Sequence, residues 1–324
     1  MKKSLSLFLM FILTIGLLSA CGSDASNASS KPAEKQSSEK KVIRIGYQKN
    51  CPLNILKSQG TLEKKLKEEG ISVKWVEFPA GPQLLEALNA GSIDFGRTGD
   101  TPPIFAQAAG IEFSYVASGY KKGKTSAVLV PQDSAIQKLQ DLKGKKIAFT
   151  KGSSAHYLLL STLKKAGLKY EDIQPVNLTP SDARAAFERK SVDAWIIWDP
   201  FLAVAEKEAK ARVLTSGDGL ANDRDFYLAS KSYLKTNKQT IDDVLEEVQK
   251  VSDWAKEHPD EVAGYLSPLV GIDEDILKTA VKRRPYGVVK IDAEIEKEQQ
   301  EIAEAFYSIK LLPKEIKVKE AIAD

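Results

Sequence analysis

The stretch VIRIGYQKNCPLNILKSQGTLEKKLKEEGISVKWVEF, residues 42–78, decides the fold class. Residues 42–47 form a short apolar run that predicts a strand, and residues 62–69 predict an amphipathic helix that ends at Gly70. Residues 72–78 alternate apolar and polar side chains, which predicts a second strand. A strand, a helix and a strand in this order are typical of a mostly parallel α/β fold.

The same alternation continues along the chain and divides it into two blocks. Further strands are predicted over residues 93–96, 113–118, 127–130, 146–150, 192–197 and 226–229, and helices over 82–89, from 101, over 154–165 and over 180–189. From Thr240 the chain is nearly all helical, with breaks expected at Pro259, Pro268 and Pro285. We therefore expect one lobe over residues 41–126 plus 229–324 and a second lobe over 127–228.

The first 21 residues predict export. A basic start is followed by an apolar run over residues 5–20, and then by Leu18-Ser19-Ala20-Cys21, which resembles the lipobox of bacterial lipoproteins. This pattern predicts a signal peptide over 1–20, a lipid on Cys21, a flexible tether over 21–40 and a place on the extracytoplasmic face of the cell membrane. The alternative is an ordinary signal peptide in which the cysteine occurs by chance.

Composition removes several classes of function. The chain has 47 basic and 44 acidic residues in 324, with no basic run, so we expect no nucleic-acid partner. Lipidation of Cys21 would leave Cys51 alone, so no intramolecular disulfide is expected. The cysteines and two histidines have no zinc-type spacing, and neither a metal nor a cofactor is predicted.

Four strand-to-helix turns carry small or polar residues and are the candidate binding elements. They are Gly46-Tyr47-Gln48, the run from Thr98 to Thr101, the run from Lys151 to Ser154 with His156 close behind, and Trp198-Asp199-Pro200. Ligands bind beyond the carboxyl ends of strands in open α/β sheets, where helix N-termini attract anions. These turns therefore favour an anionic ligand.

Each turn also has a simpler interpretation. Ser153, Asp100 and Thr101 are residue types that cap helices without any ligand, and His156 could be a packed or surface histidine. Trp195 and Trp198 point to opposite faces of one strand, so one of them is expected in the core. Because no catalytic triad, phosphate-binding loop or metalloprotease motif is present, an enzyme is the weaker class.

Several segments resemble the aliphatic sulfonate-binding proteins of ABC importers, within the sulfonate, taurine and nitrate group. They are residues 44–49, 77–94, 98–100, 102–110, 151–154, 192–195 and 198–201. The resemblance implies a two-lobed α/β fold of the type II periplasmic-binding-protein class, with a hinge and a central ligand cleft. It also implies an alkanesulfonate ligand, a partner complex of ABC permease and ATPase, and a monomer.

The resemblance and the turns together predict a ligand-binding set. Backbone and hydroxyl donors would meet the sulfonate oxygens, Arg284 would supply a cation unless it is a solvated surface arginine, and aromatic residues would line the tail. The predicted set is Gln48, Gly99, Asp100, Ser126, Ser153, Ser154, His156, Trp198, Asp199, Phe226, Tyr227 and Arg284.

The chain departs from the family pattern at two places, Asn50-Cys51 and Tyr286-Gly287. The alternatives that stay open are taurine, whose ammonium would want a carboxylate such as Asp100 or Asp199, nitrate, and a phosphonate. An exported enzyme that uses Cys51 is the alternative from another class.

Overall fold

The computed structural model describes residues 41–323. The predicted signal peptide over 1–20, the lipidated Cys21 and the tether over 21–40 lie outside the described residues. Of the helices within residues 41–323, none combines the length and the apolar character needed to cross a membrane.

Ten strands and twelve α-helices make up this part of the chain. The strands are β1 (Lys41–Tyr47), β2 (Ile71–Glu77), β3 (Phe95–Thr98), β4 (Phe113–Ser118), β5 (Ser126–Pro131), β6 (Lys146–Phe149), β7 (Gln174–Asn177), β8 (Ala194–Trp198), β9 (Ala211–Ser216) and β10 (Phe226–Ser230). The helices are α1 (Pro52–Gln59), α2 (Thr61–Glu68), α3 (Gly81–Asn89), α4 (Thr101–Ala108), α5 (Ser154–Ala166), α6 (Pro180–Glu188), α7 (Phe201–Glu208), α8 (Lys231–Thr236), α9 (Lys238–Glu257), α10 (Pro259–Val270), α11 (Glu274–Arg283) and α12 (Ala293–Ser308).

The strands form two five-stranded sheets with the same arrangement. The first has the order β2-β1-β3-β10-β4 and the second has the order β7-β6-β8-β5-β9. β1 and β6 are each parallel to both of their neighbours, whereas β10 and β5 are each antiparallel to theirs. The sheets are therefore mixed, and the expectation of a mostly parallel fold is wrong for the β5 and β10 ladders, because each of these strands enters its sheet from the other half of the chain.

The chain crosses between the sheets twice. A first crossing over residues 119–125 joins β4 to β5, and a second crossing over 217–225 joins β9 to β10. The two crossings are hydrogen-bonded to each other, since Lys122 N donates to Asn222 O at 2.9 Å and Gly119 N donates to Asp225 O at 2.8 Å. The chain returns to the first sheet at Phe226, since residues 226–228 already pair there. The predicted lobe boundary placed this return three residues later, at 229.

The helical tail covers the first sheet on both faces. Buried side chains of α9, α10 and α11 pack with β1, and those of α12 pack with β4 and β10. The break expected at Pro268 is wrong, since this proline lies within α10. It stands in the last turn, where loss of one N–H donor does not prevent the helix from continuing to Val270.

Candidate functional site: a charged cleft between the two sheets

One cleft lies where the carboxyl ends of strands from both sheets meet. Its cavity volume is about 20 Å³. Its lining, which we call the charged cleft, consists of Gln48, Gly81, Arg97, Gly99, Pro102, Lys122, Thr125, Ser153, Ser154, Trp198, Asp223 and Arg284. The turns after β1, β3, β6 and β8 all contribute to it, as expected for a ligand site in an α/β sheet.

Three helices begin at the charged cleft, namely α3, α4 and α5, and no side chain caps any of the three. Ser153 stands at the N-cap of α5, but its hydroxyl donates to Thr150 O at 2.7 Å instead of accepting from the helix. Simple capping by Ser153 is therefore wrong. The first-turn N–H groups of α5 and the positive end of its dipole face the cleft without a side-chain acceptor, which suits an anion.

Five buried charged side chains form the floor of the site, and we call them the charge cluster: Arg97, Lys122, Asp223, Asp225 and Arg284. Asp225 is at its centre, since Oδ2 accepts from Arg284 Nη1 at 2.7 Å while Oδ1 accepts from Arg97 and lies 3.3 Å from Lys122 Nζ. Lys122 also donates to Asp223 Oδ1. Three cations thus face two carboxylates, which leaves one positive charge in excess.

The pKa values of these groups follow from burial and from the excess of cations. Burial is the largest cause that lowers the pKa of Lys122 to about 8; Asp223 raises this pKa, and the nearby Arg97 and Arg284 lower it. Burial and the neighbouring Arg284 lower the pKa of Arg97 to about 10. Both shifts mean that the charged forms of Lys122 and Arg97 are less favourable here than in water. A bound anion would stabilise these charged forms.

Six of the predicted residues line the charged cleft: Gln48, Gly99, Ser153, Ser154, Trp198 and Arg284. Arg284 is buried, so its interpretation as a solvated surface arginine is wrong. Trp198 faces the cleft while Trp195 lies in the core, as expected for neighbours on opposite faces of β8.

Gly99 and Ser154 bring the two halves of the molecule into contact. A Cβ added to Gly99 would lie 2.1 Å from Ser154 Oγ, although these residues belong to turns of different sheets. The lack of a side chain at residue 99 therefore allows this close approach across the cleft.

Asp100 and Phe226 lie beside the charged cleft instead of in it. Both line a neighbouring cavity of about 260 Å³, together with Tyr157 and residues of α12. Asp100 Oδ1 accepts from Thr101 Oγ1 at 2.9 Å, and burial together with Asp223 raises the pKa of Asp100 to about 6.

Ser126 and Tyr227 are not part of the cleft lining. Ser126 Oγ donates to Gly123 O at 3.4 Å, and the preceding Thr125 takes its place in the lining, because one step along the chain changes the face. Tyr227 is fully buried in the first sheet, where its ring stacks on Phe95 with centroids 6.2 Å apart. The expectation that Phe226 and Tyr227 line the cleft is therefore wrong.

His156 is a packing residue. Its ring lies 4.7 Å from that of Phe149 and 4.8 Å from that of Phe306, and Nδ1 accepts from Gly152 N at 3.2 Å. Burial lowers the pKa of His156 to about 3, so the ring is neutral. It contributes to the contact between α5 and α12 and does not line the cleft.

Asp199 also has a structural role. Its Oδ1 accepts from Ala203 N at 3.1 Å and from Arg283 Nη1 at 3.4 Å, so it is directed towards α7 and α11. Burial raises the pKa of Asp199 to about 6. Its carboxylate is outside the cleft lining and is not placed to meet a ligand ammonium there.

Comparison with known proteins identifies the family. The family model described as NMT1/THI5 like matches residues 66–262. The chain belongs to the NMT1/THI5-like family.

The chain is similar to solved structures of sulfonate-binding proteins. The alkanesulfonate-binding protein SsuA from Xanthomonas axonopodis pv. citri bound to MOPS is 40% identical, and the match covers 87% of this chain and 98% of that chain with a TM-score of 0.83. The periplasmic aliphatic sulphonate binding protein SsuA from Escherichia coli is 43% identical, and the match covers 88% of this chain and 92% of that chain with a TM-score of 0.80. A Bacillus subtilis (strain 168) protein with the provisional name aliphatic sulfonates-binding protein is 35% identical over 99% of this chain and 95% of its own length. These similarities confirm the predicted family and the two-lobed periplasmic-binding fold.

The sequence did not single out Arg97, Lys122, Thr125 or Asp223, although all four line the cleft of this NMT1/THI5-like protein. One signal was available, since Arg97 directly follows the strand predicted over 93–96 and stands in the otherwise uncharged run 95–99, FGRTG. An ionised side chain in a buried strand needs a buried partner. Lys122 and Asp223 gave no such signal, because both stand in polar loops.

The two departures from the family pattern lie behind the cleft. Cys51 and Tyr286 are buried in the same apolar core as Tyr227, and neither lines the cleft. Cys51 is the N-cap residue of α1. Its thiol is therefore not placed to attack a molecule bound in the charged cleft.

Proposed function

We propose that this protein is an extracytoplasmic solute-binding lipoprotein that captures aliphatic sulfonates and delivers them to an ABC transporter for sulfur acquisition. The observation that carries the proposal is that Arg284, Lys122 and the uncapped N-terminus of α5 converge on one cleft. The similarity to sulfonate-binding proteins over most of the chain supports the same ligand class.

A sulfonate fits these groups chemically. It is a monoanion with three acceptor oxygens, and the cleft offers charged donors from Arg284 and Lys122 together with the first-turn N–H groups of α5. Hydrogen bonds from ionised donors are the strong ones. Trp198 is the aromatic side chain among the described residues of the lining, and we assign it to the start of the organic tail.

Binding would work by closure of two lobes about the two crossings. The lobes of this proposal are residues 41–125 with the C-terminal part from 226, and residues 126–225, because β5 begins at Ser126 and β10 begins at Phe226. A ligand held by Arg284 from one side and by the α5 turn from the other favours the closed state, because it contacts both lobes only there. No chemical step is part of this function.

Delivery would take place at the membrane. Cys21 would carry the lipid, residues 21–40 would act as the tether, and the protein would present its ligand as a monomer to an ABC permease and ATPase complex. Two acyl chains suffice for stable anchoring. Replacement of Cys21 by alanine should release the protein from the membrane fraction, and retention there would contradict the anchor.

Taurine is a second candidate because of one observation. Asp223 Oδ2 is buried at the cleft and has no hydrogen-bond partner among the described residues. A ligand ammonium could donate to this oxygen. Nitrate has no tail to contact Trp198, and a phosphonate dianion would exceed the single positive charge that the charge cluster leaves uncompensated.

A thermal-shift panel tests the ligand class, with ethanesulfonate, butanesulfonate, taurine, sulfate, nitrate and methylphosphonate. A ligand at 100 times its dissociation constant adds about 2.7 kcal/mol, or roughly 5–10 °C for a domain of this size. Shifts with the alkanesulfonates and not with sulfate, nitrate or methylphosphonate are expected. A flat response to the sulfonates would contradict the proposal.

A pair of adjacent arginines tests the site. Arg284→Met should weaken butanesulfonate binding about 10–100-fold in isothermal titration, since a charged hydrogen bond is lost. Arg283→Met is the matched control, because Arg283 pairs with Asp199 and Glu206 outside the cleft lining. Equal effects of the two substitutions would argue against the assigned site.

A further inference from the structure

We propose that Asp223 is a specificity-determining residue that excludes dianions, such as sulfate, from the charged cleft. The inference rests on the proposed function. It assigns to Asp223 the selectivity for sulfonates over other oxyanions of similar shape. An acidic side chain at an anion site opposes the binding of every anion, so its presence needs a reason.

The backbone directs Asp223 into the cleft. Its φ of 43° lies in the left-handed region, which non-glycine residues adopt at a cost. The side chain is buried, Oδ1 accepts from Lys122, and Oδ2 has no partner among the described residues. One oxygen of Asp223 therefore compensates Lys122, while the other is left for a group that enters the cleft.

The charge balance gives the reason. Arg97, Lys122 and Arg284 carry three positive charges, and Asp223 and Asp225 carry two negative charges, all of them buried. A bound monoanion makes this group neutral, whereas a dianion leaves one negative charge uncompensated in a buried site. An uncompensated buried charge is strongly unfavourable, and this balance holds for the state in which the nearby Asp100, whose pKa is raised by burial and by Asp223, is protonated.

Methanesulfonate and sulfate are the probes, because they have the same tetrahedral head and differ by one charge. We expect the wild-type protein to bind methanesulfonate at least about 100-fold more tightly than sulfate, as measured by isothermal titration. Asp223→Asn should reduce the ratio of the sulfate dissociation constant to the methanesulfonate dissociation constant at least tenfold, mainly through tighter binding of sulfate. Asparagine has nearly the same shape and tolerates the left-handed backbone, so the fold should be kept.

Two further variants separate charge from shape. Asp218→Asn is the matched control, since Asp218 is exposed on the same crossing and lies 4.0 Å from Lys124, and it should leave the ratio unchanged. The double variant Lys122→Met with Asp223→Asn restores a single excess positive charge, so its ratio should return towards the wild-type value. Asp223→Gly, which also suits a positive φ, replaces Asp223→Asn if that variant does not fold.

The outcomes distinguish this inference from the function on which it rests. A wild-type protein that binds neither methanesulfonate nor longer alkanesulfonates would overturn the proposed function itself. A wild-type protein that prefers methanesulfonate, with a ratio unchanged in Asp223→Asn, would overturn the role of Asp223 alone. Equal weakening of both ligands in that variant would also overturn it, because it would show a structural effect without selectivity.

Discussion

At the residue scale, anion binding depends on charged side chains that are buried. Lys122 has carboxylate partners in Asp223 and Asp225, yet its pKa stands at about 8 because burial and two arginines oppose its charge. The charge of Lys122 is therefore the one most easily lost on titration above neutral pH. A sulfonate does not titrate in this range, so any change in affinity there reports on the protein.

The affinity for alkanesulfonates should fall as the pH rises from about 7 to about 9. The protonated form of Lys122 attracts the ligand and dominates below about 8, whereas the neutral form dominates above it. Isothermal titration of butanesulfonate at several pH values measures the decline. In Lys122→Arg the decline should disappear, since arginine stays charged; a decline of the same size in this variant would contradict the assignment.

The sequence indicated part of the site because some signals are local. Small residues after a strand and a serine at a helix start mark Gly99 and Ser154 without knowledge of the fold. The partners Lys122 and Asp223 are 101 positions apart and meet because two crossings lie side by side. Such a pair cannot be inferred from one chain, because each member alone has the pattern of a solvated loop residue.

At the element scale, the contact between the turns after β3 and β6 bears on the proposed closure. Ser154 at the start of α5 lies against Gly99, while further along α5 the His156 ring packs against Phe306 of α12. These contacts join elements that cover different sheets, so the proposed closure would form them and opening would break them.

Gly99→Ala should weaken alkanesulfonate binding at least about tenfold by blocking closure, because the new Cβ would lie 2.1 Å from Ser154 Oγ. The double variant Gly99→Ala with Ser154→Ala should recover much of the loss, since the nearest remaining Ser154 atom, Cβ, is 3.4 Å away. Titration calorimetry on both variants and on Ser154→Ala completes the cycle. If removal of the Ser154 hydroxyl gives no recovery, this contact does not limit closure.

The elements themselves were largely predictable, and their pairing was not. Apolar periodicity indicates β1, α5 and the helical tail, because each has a regular pattern within a few turns. The antiparallel direction of β5 and β10 depends on which sheet the chain enters after a crossing, and a strand's own pattern does not contain this information. For the same reason the boundary expected at 229 missed the first three residues of β10.

At the scale of the whole molecule, the topology places three members of the charge cluster on the two crossings, which form the hinge of the proposed closure. Lys122 lies on the first crossing, and Asp223 and Asp225 lie on the second, so the charge cluster joins the two chain segments about which the lobes would move. Neutralisation of this cluster by a bound anion would therefore act directly on the hinge. Capture and closure are expected to be one event.

The most direct test is a crystal structure of the protein grown with ethanesulfonate. We expect the sulfonate in the charged cleft, with its oxygens within hydrogen-bond distance of Arg284 and of the first-turn N–H groups of α5, and its tail towards Trp198. A sulfonate bound at another place, or a cleft that stays free of it at saturating concentration, would contradict the proposed function.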